Sequence, residues 1–501
     1  MDDSRREAAA AGVKARTGWR MGAAACAAAA GLRRFVEHTR RPAWFLMLSG
    51  LAMRALVMLI ANGITWPDSL SYYHDARNVL AGRIFHQHLM YRTPLFPAFW
   101  AAFLALGDNP VSGTLMIGAQ HLLGLLSVLL IYRVTRAVFG PATAFLSALL
   151  LNFHALLLFY ENVVQTEVLL VFLLSATVCV FLRALSGGRA WRWVVCGVLF
   201  ALLTLTRPIG LLLLPALLPA VLLRNRSIAR TALAAALSGV TMFLVLLPWL
   251  ISNERTCGFF GVAQLQGVQL FHKAFDKARM TPAESTRFPD VAQAYRDQMA
   301  LQDERKIRID WSVWRALGSR EGMTEVEADR RMEGFTLEAI RRSPARFVKE
   351  TARDFGRFFW AAKPSICVRE GGAGPYLGSP FGKRYATPAF PREAVTRCRP
   401  VREFLAPCFR RANIPLHAVV PLALAGAALF LWRDKARRAE GLVLAIIPLY
   451  LGFFTALFET YQDRYRLPAD PFLFAFAVYA AVAAVAGLAA AAARGTMGRK
   501  E

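Results

Sequence analysis

Apolar residues fall in long uncharged blocks along this chain, and arginine and lysine gather in the gaps between them. A bilayer core takes roughly 20 apolar residues per helix. No water reaches that core, so each backbone polar group must be satisfied within its own segment. The blocks therefore predict membrane-spanning helices. Candidate spans lie at about 42–64, 111–132, 141–160, 163–182, 193–206, 208–223, 231–252, 412–432, 441–458 and 471–493. The expected fold class is an all-α polytopic membrane protein of about ten transmembrane helices.

Charge sets the expected orientation. Arg133 and Arg136, Arg183 with Arg189 and Arg192, Arg224 with Arg226 and Arg230, and Arg433 with Lys435, Arg437 and Arg438 follow alternate spans. Arg33, Arg34, Arg40 and Arg41 precede the first span, and Arg494, Arg499 and Lys500 follow the last. Ten spans put all of them on one side, which the positive-inside rule makes cytoplasmic. Asp68, Asp75, Asp108, Glu161, Glu167, Glu459, Asp463 and Asp470 then fall at or near the opposite face. The fifth and sixth blocks are short, with Arg207-Pro208 between them. Basic flanks on both outer ends favour a hairpin of two short spans over one kinked helix.

Composition narrows the class. Of 501 residues, 56% are apolar, against roughly 45–50% in soluble domains. A soluble globular enzyme, a disordered chain and a disulfide-framework toxin are excluded. The net charge of +26 would point to nucleic acid in a soluble chain. Here it belongs to the flanks of the spans, and no nucleic-acid partner is expected.

The expected organisation is a basic cytoplasmic arm at 1–41, a membrane module at 42–252, an external domain at 253–411, membrane helices at 412–493 and a cytoplasmic tail at 494–501. The alanine-rich 22–31 stretch is read as part of the uncleaved arm. Two external segments stand out, the loop 65–110 and the domain 253–411, which is too long for a connector. The domain is expected to be mainly helical. Thr324-x-x-Glu327 opens one helix as a capping box running to about Arg342. Ser343-Pro344 starts a second, with Phe347, Val348, Phe355, Phe358 and Phe359 largely on one face and Trp360 at its end, which places it against the membrane interface. Residues 361–395 read as a Gly/Pro-rich loop. Cys257, Cys367, Cys398 and Cys408 share this segment, where two disulfides are expected in one of three pairings. Proximity in sequence favours Cys398 with Cys408, leaving Cys257 with Cys367.

Candidate chemistry collects at the external face. Asp68 sits just past the first span, flanked by Trp66 and Tyr72, and Arg92 returns the same loop to the membrane. A loop acid is most often merely solvated. A carboxylate and a guanidinium on one interfacial loop, however, suit a substrate with a hydroxyl to deprotonate and a phosphate to hold. Glu161 and Glu167 flank the turn into the fourth span; either acid can instead complement a helix dipole. Arg207, Arg464 and Arg466 stand at external span ends, against the positive-inside bias, where snorkelling is the bland alternative. Arg54 lies inside the first span and needs a partner in the bundle. His121, Asn152 and His154 are read as helix-to-helix hydrogen-bonding groups. His86-Gln87-His88 lacks a third metal ligand and is not read as a metal site.

These residues carry a family resemblance. Asp68-x-x-x-Tyr72, Ala76, Leu80, Gly82 and Arg92-Thr93-Pro94-Leu95-x-Pro97 resemble the first external loop of the GT-C glycosyltransferases. The branch is that of the protein O-mannosyltransferases and the lipid A aminoarabinose transferases. Thr166-Glu167-x-Leu169, Leu205-Thr206-Arg207-Pro208, Leu247-Pro248-Trp249-x-x-x-Asn253 and Arg464-Tyr465-x-x-Pro468 are similar to further motifs of that branch, in the same order. The resemblance covers roughly 45–260, and 455–490 in part. It implies inverting transfer of a sugar from a polyprenyl-phosphate donor to a cell-envelope acceptor (lipid, glycan or protein) at the external face of a bacterial inner membrane. Asp68 would be the base, Tyr72, Glu161 and Glu167 would line the sugar and acceptor pocket, and Arg92, Arg207, Arg464, Arg466 and Tyr465 would hold the donor phosphate. Of the two arginines near the last span, Arg464 is favoured to reach it. No cofactor is called for, and a divalent metal stays open. The protein mannosyltransferases carry Asp-Glu where this chain has Asp68-Ser69, which counts against protein mannosylation. The rival readings are a transporter or lipid-linked sugar flippase and a non-catalytic scaffold. The chain shows no internal repeat of the kind transporters carry.

Overall fold

The computed structural model describes residues 36–37, 40–60, 67–83, 92–187, 189–280, 287–305, 309–360, 388–389, 416–459 and 462–497. Residues 1–35 of the expected arm, with Cys26, and Trp66, His86 to His88, Cys367, Cys398 and Cys408 lie outside them.

In the membrane module, α1 (Arg41–Ile60) leads to two further helices, α2 (Pro67–Leu80) and α3 (Leu95–Leu104). Then come α4 (Pro110–Phe139), α5 (Pro141–Asn152), α6 (Ala155–Tyr160), α7 (Glu167–Leu185), α8 (Ala190–Thr206), α9 (Leu213–Asn225) and α10 (Ile228–Cys257). The local causes are plain. Asn109 caps α4, its side-chain oxygen accepting from Val111 N at 3.0 Å and Ser112 N at 3.2 Å, with Pro110 at the first helical position. Between α8 and α9 the chain doubles back through Pro208–Gly210. A Cβ on Gly210 would lie 2.7 Å from Thr204 N, so this turn needs a residue without a side chain. Two short helices joined by a turn form here, rather than one kinked helix.

The segment after α10, expected to form the external domain, contains α11 (Gln266–Phe271), a π-helical turn at His272–Lys277, α12 (Pro289–Arg305), α13 (Ile309–Gly318), α14 (Glu325–Arg342) and α15 (Pro344–Trp360). Thr324 caps α14 by accepting from Glu327 N at 3.1 Å, and Pro344 begins α15. The domain has its own core, built on Phe271, Phe275, Trp314, Met332 and Phe335. Asp329 closes it, accepting from Val268 N at 2.9 Å, Gly267 N at 3.2 Å and Gln264 Nε2 at 2.9 Å. Val348 is 62% exposed on α15, while Phe347, Phe358 and Phe359 are buried. One correction arises here: Cys257, expected in a disulfide, is a free thiol packed beside the domain core.

The chain returns through α16 (Leu416–Arg433), α17 (Arg438–Phe458), the single turn α18 (Asp463–Arg466) and α19 (Asp470–Met497). Among the described residues, seven helices are long and apolar enough to cross a membrane. The expected spans at 141–160, 193–206 and 412–432 are occupied by shorter apolar helices. The first of these breaks at Asn152 and His154, whose polar side chains serve long-range contacts. All-α architecture with multiple membrane spans is thus the fold.

Arg54 finds its partner 107 residues away. Its Nη2 lies 2.7 Å from Glu161 Oε1, and His121 Nδ1 lies 2.6 Å from Glu161 Oε2. Arg54 Nη1 also donates to Asn152 Oδ1 at 2.9 Å, and Nε to His121 O at 3.1 Å. Gln120 Nε2 donates to the carbonyls of Glu161 and Val163 at 3.2 and 3.0 Å. The Glu161 side chain has no exposed surface. A Cβ on Gly124 would come within 1.8 Å of its carboxylate. This network clamps the turn between α6 and α7.

Candidate active site

That turn supports the segment that begins with α2. Ser69 on α2 is fully buried and donates from Oγ to Val164 O at 2.9 Å. It therefore faces the protein and docks α2, leaving Asp68 outward. α3 packs behind, with Tyr72 on Phe96 and Tyr73 on Trp100.

Asp68 stands between two guanidiniums. Arg92 Nη2 lies 3.3 Å from Oδ1, and Arg464 Nη1, on α18, lies 3.0 Å from Oδ2. Side-chain exposure is 41% for Asp68 but only 14% and 13% for the two arginines, so the carboxylate is the accessible member. Burial alone would raise its carboxyl. The guanidiniums of Arg464 and Arg92 outweigh that and hold it below the usual carboxylate range. Each arginine also lies over a tyrosine: Arg92 is 4.1 Å from the Tyr72 ring centre and Arg464 is 4.9 Å from that of Tyr465. Arg464 Nη2 donates to the Tyr465 hydroxyl at 3.0 Å, while its Nε has no acceptor among the described residues.

Arg207 joins the cluster through Tyr465, 5.2 Å from that ring centre. Its Nη2 meets Glu167 Oε1 at 2.5 Å and its Nε donates to Thr166 Oγ1 at 2.8 Å. Glu459 borders Tyr465; burial pushes its carboxyl up against the pull of Arg464 and Arg207. Asp68, Tyr72, Arg92, Glu167, Arg207, Arg464 and Tyr465 thus form one connected cluster. Two expected members do not join it. Glu161 is sealed in the Arg54 network. Arg466 turns inward, with Nε donating to Asp470 Oδ1 at 2.8 Å.

Residues 91–251 match the family described as dolichyl-phosphate-mannose-protein mannosyltransferase. No curated relative matches the chain. Among solved structures, the archaeal oligosaccharyltransferase AglB from Archaeoglobus fulgidus, in complex with an inhibitory peptide and a dolichol-phosphate, is similar at 15% identity and a TM-score of 0.45. That match covers 90% of this chain and 52% of AglB, so the chain spans about half the length of that relative. ArnT from Cupriavidus metallidurans, bound to undecaprenyl phosphate, is similar at 16% identity and a TM-score of 0.40, over 85% of this chain and 77% of ArnT.

The membrane module contains one further group, which the sequence offers only as one of the acids at that face. Asp75 lies seven residues from Asp68 on α2, hence on the same helix face. Burial, opposed by Arg92, pushes its carboxyl up to about 6. Its Oδ2 has no hydrogen-bond partner among the described residues. The seven-residue spacing was the available signal. Trp249 and Asn253, by contrast, tie α10 to the domain, donating to Val262 O at 2.8 Å and Gly261 O at 2.7 Å. Among the described residues, one group has metal-ligand chemistry: His272 with Asp276 and Asp310, whose ligand atoms lie within 4.8 Å of one another. His272 Nδ1 is already 2.9 Å from Asp276 Oδ2, and the group borders Glu459 rather than Asp68.

Proposed function

We propose that this protein is an integral-membrane inverting glycosyltransferase. It moves a sugar from a polyprenyl-phosphate donor to a cell-envelope acceptor at the external face of a bacterial inner membrane, with both termini cytoplasmic. The observation that carries the reading is the half-exposed Asp68 carboxylate held between Arg92 and Arg464. Cysteine labelling checks the orientation: position 300 reacts from outside and position 435 only from inside. Label reaching position 435 from outside contradicts it.

The chemistry follows from the charges. An acceptor hydroxyl attacks the anomeric carbon, the bond from that carbon to the phosphate oxygen breaks, and the hydroxyl proton passes to Asp68. The polyprenyl phosphate leaves with added charge, which Arg92, Arg464 and Arg207 neutralise at a partly dry interface. While both guanidiniums sit on Asp68 it is a weak base. A donor phosphate competes for them, and each contact it takes raises the basicity of Asp68. Donor binding thus arms the base before the acceptor reacts. The inward-facing Ser69 supplies no second carboxylate, which favours a lipid or glycan acceptor over a protein one.

The test is sugar transfer by purified protein from labelled polyprenyl-phosphate sugar, with release of free polyprenyl phosphate as the readout. Movement of intact lipid-linked sugar across vesicles without such release would make the protein a flippase.

A further inference from the structure

Helix α15 has three faces. Phe347, Glu350, Asp354, Phe358 and Phe359 are buried. Ala345, Val348 and Ala352 form an exposed apolar sector next to them. At 100° per residue, Arg346, Lys349, Arg353 and Arg357 then share a stripe about 80° wide. All four are exposed, and Trp360, 50% exposed, ends the same side.

The depth of the helix is set by its aromatic end. Phe358 and Phe359 pack on Gly452 of α17, where an added Cβ would lie 3.0 and 3.1 Å from them. Gly452 is six residues before the end of α17, about 9 Å along the helix. That end, at Leu457 and Phe458, abuts the external domain. The C-terminal end of α15 is therefore sunk to the level of the outer interface. An apolar sector flanked by a basic one, at that depth, is how a helix lies in a lipid surface.

The charge needs a partner. Basic residues on an external face oppose the positive-inside rule. The acids at the rim do not cancel them. Glu350 receives Arg353 at 2.5 Å and Arg357 at 3.4 Å. Asp354 receives Arg357 at 2.9 Å and is already bound by the fully buried Lys273. Lys349 has no acid partner among the described residues. We propose that α15 is a docking surface for anionic phospholipids, its basic stripe holding their phosphate-bearing headgroups while Val348 and Ala352 meet the acyl region. An acidic protein would suit the stripe but not the apolar sector beside it.

The test uses the full chain in nanodiscs, with a fluorescent amino acid replacing Ala352. Brominated phosphatidylglycerol should quench it roughly twofold or more beyond brominated phosphatidylcholine at equal fraction, and added salt should shrink that excess. Arg346→Gln/Lys349→Gln/Arg353→Gln should abolish the excess and keep the phosphatidylcholine quenching. Lys349→Glu alone, which disturbs no ion pair, should reduce it. Equal quenching by the two lipids, or an excess that survives both variants, overturns the proposal. Quenching by neither lipid removes α15 from the membrane surface and overturns it as well.

Discussion

Two arginine–carboxylate assemblies adjoin the turn between α6 and α7 in this molecule. Arg54–Glu161–His121 is closed off, with both carboxylate oxygens held at 2.6–2.7 Å and no exposed surface on Glu161. Arg92–Asp68–Arg464 is looser, at 3.0–3.3 Å, and its carboxylate is 41% exposed. The same ions do different work. A sealed carboxylate cannot meet a substrate, and its hydrogen bonds fix three helices and a turn. An open one can exchange its guanidiniums for a phosphate. The sealed assembly positions the open one, because it clamps the turn on which Ser69 docks α2.

The comparison is broken most severely by Glu161→Gln. Arg54 would be left as a buried charge without a full counter-ion, at a cost of about 3–5 kcal/mol. Thermal unfolding in detergent should show a much lower midpoint and poor yield. A variant as stable as the parent would deny the network its structural role.

Next come Arg464→Ala and Arg466→Ala, neighbours with opposite expected outcomes. Arg464→Ala should leave folding nearly intact and reduce donor use by roughly 10²-fold. Arg464→Lys should recover only part, lacking the two-pronged donor. Arg466→Ala should chiefly destabilise, because Asp470 loses its buried partner. Steady-state kinetics against donor concentration, paired with melting curves, separates the two. Equal and slight effects on transfer would withdraw Arg464 from the phosphate.

Much of this arrangement is local and therefore readable along the chain. Apolar blocks placed the spans, Thr324 and Pro344 marked helix starts, and the Arg207-Pro208 pair marked the reversal. What stayed hidden depends on distance or on a single turn. The partner of Arg54 is 107 residues away, and no periodicity encodes that separation. Arg464 and Arg466 part company because α18 is one short turn, which sends one guanidinium to Asp68 and the other to Asp470. The apolar spacing of α15 marked one face but not its division, in which Phe347, Phe358 and Phe359 are buried and Val348 is exposed.

The smallest effect expected is on the pH profile. Asp75 titrates near 6. Below that it is neutral and leaves Arg92 to Asp68. As pH rises through that value its anion draws Arg92 away and loosens the clamp. Transfer should therefore rise a few-fold across this window, and Asp75→Asn should flatten the rise. A profile unchanged in the variant would make Asp75 a bystander.

The central claim is that Asp68 is the base, and Asp68→Asn tests it most directly. The substitution keeps the shape and removes the basicity. Reconstituted with labelled polyprenyl-phosphate sugar, the variant should melt within a few degrees of the parent and lose transfer by roughly two or more orders of magnitude. A folded variant with near-normal turnover would contradict the account and move the search for a base to Glu167.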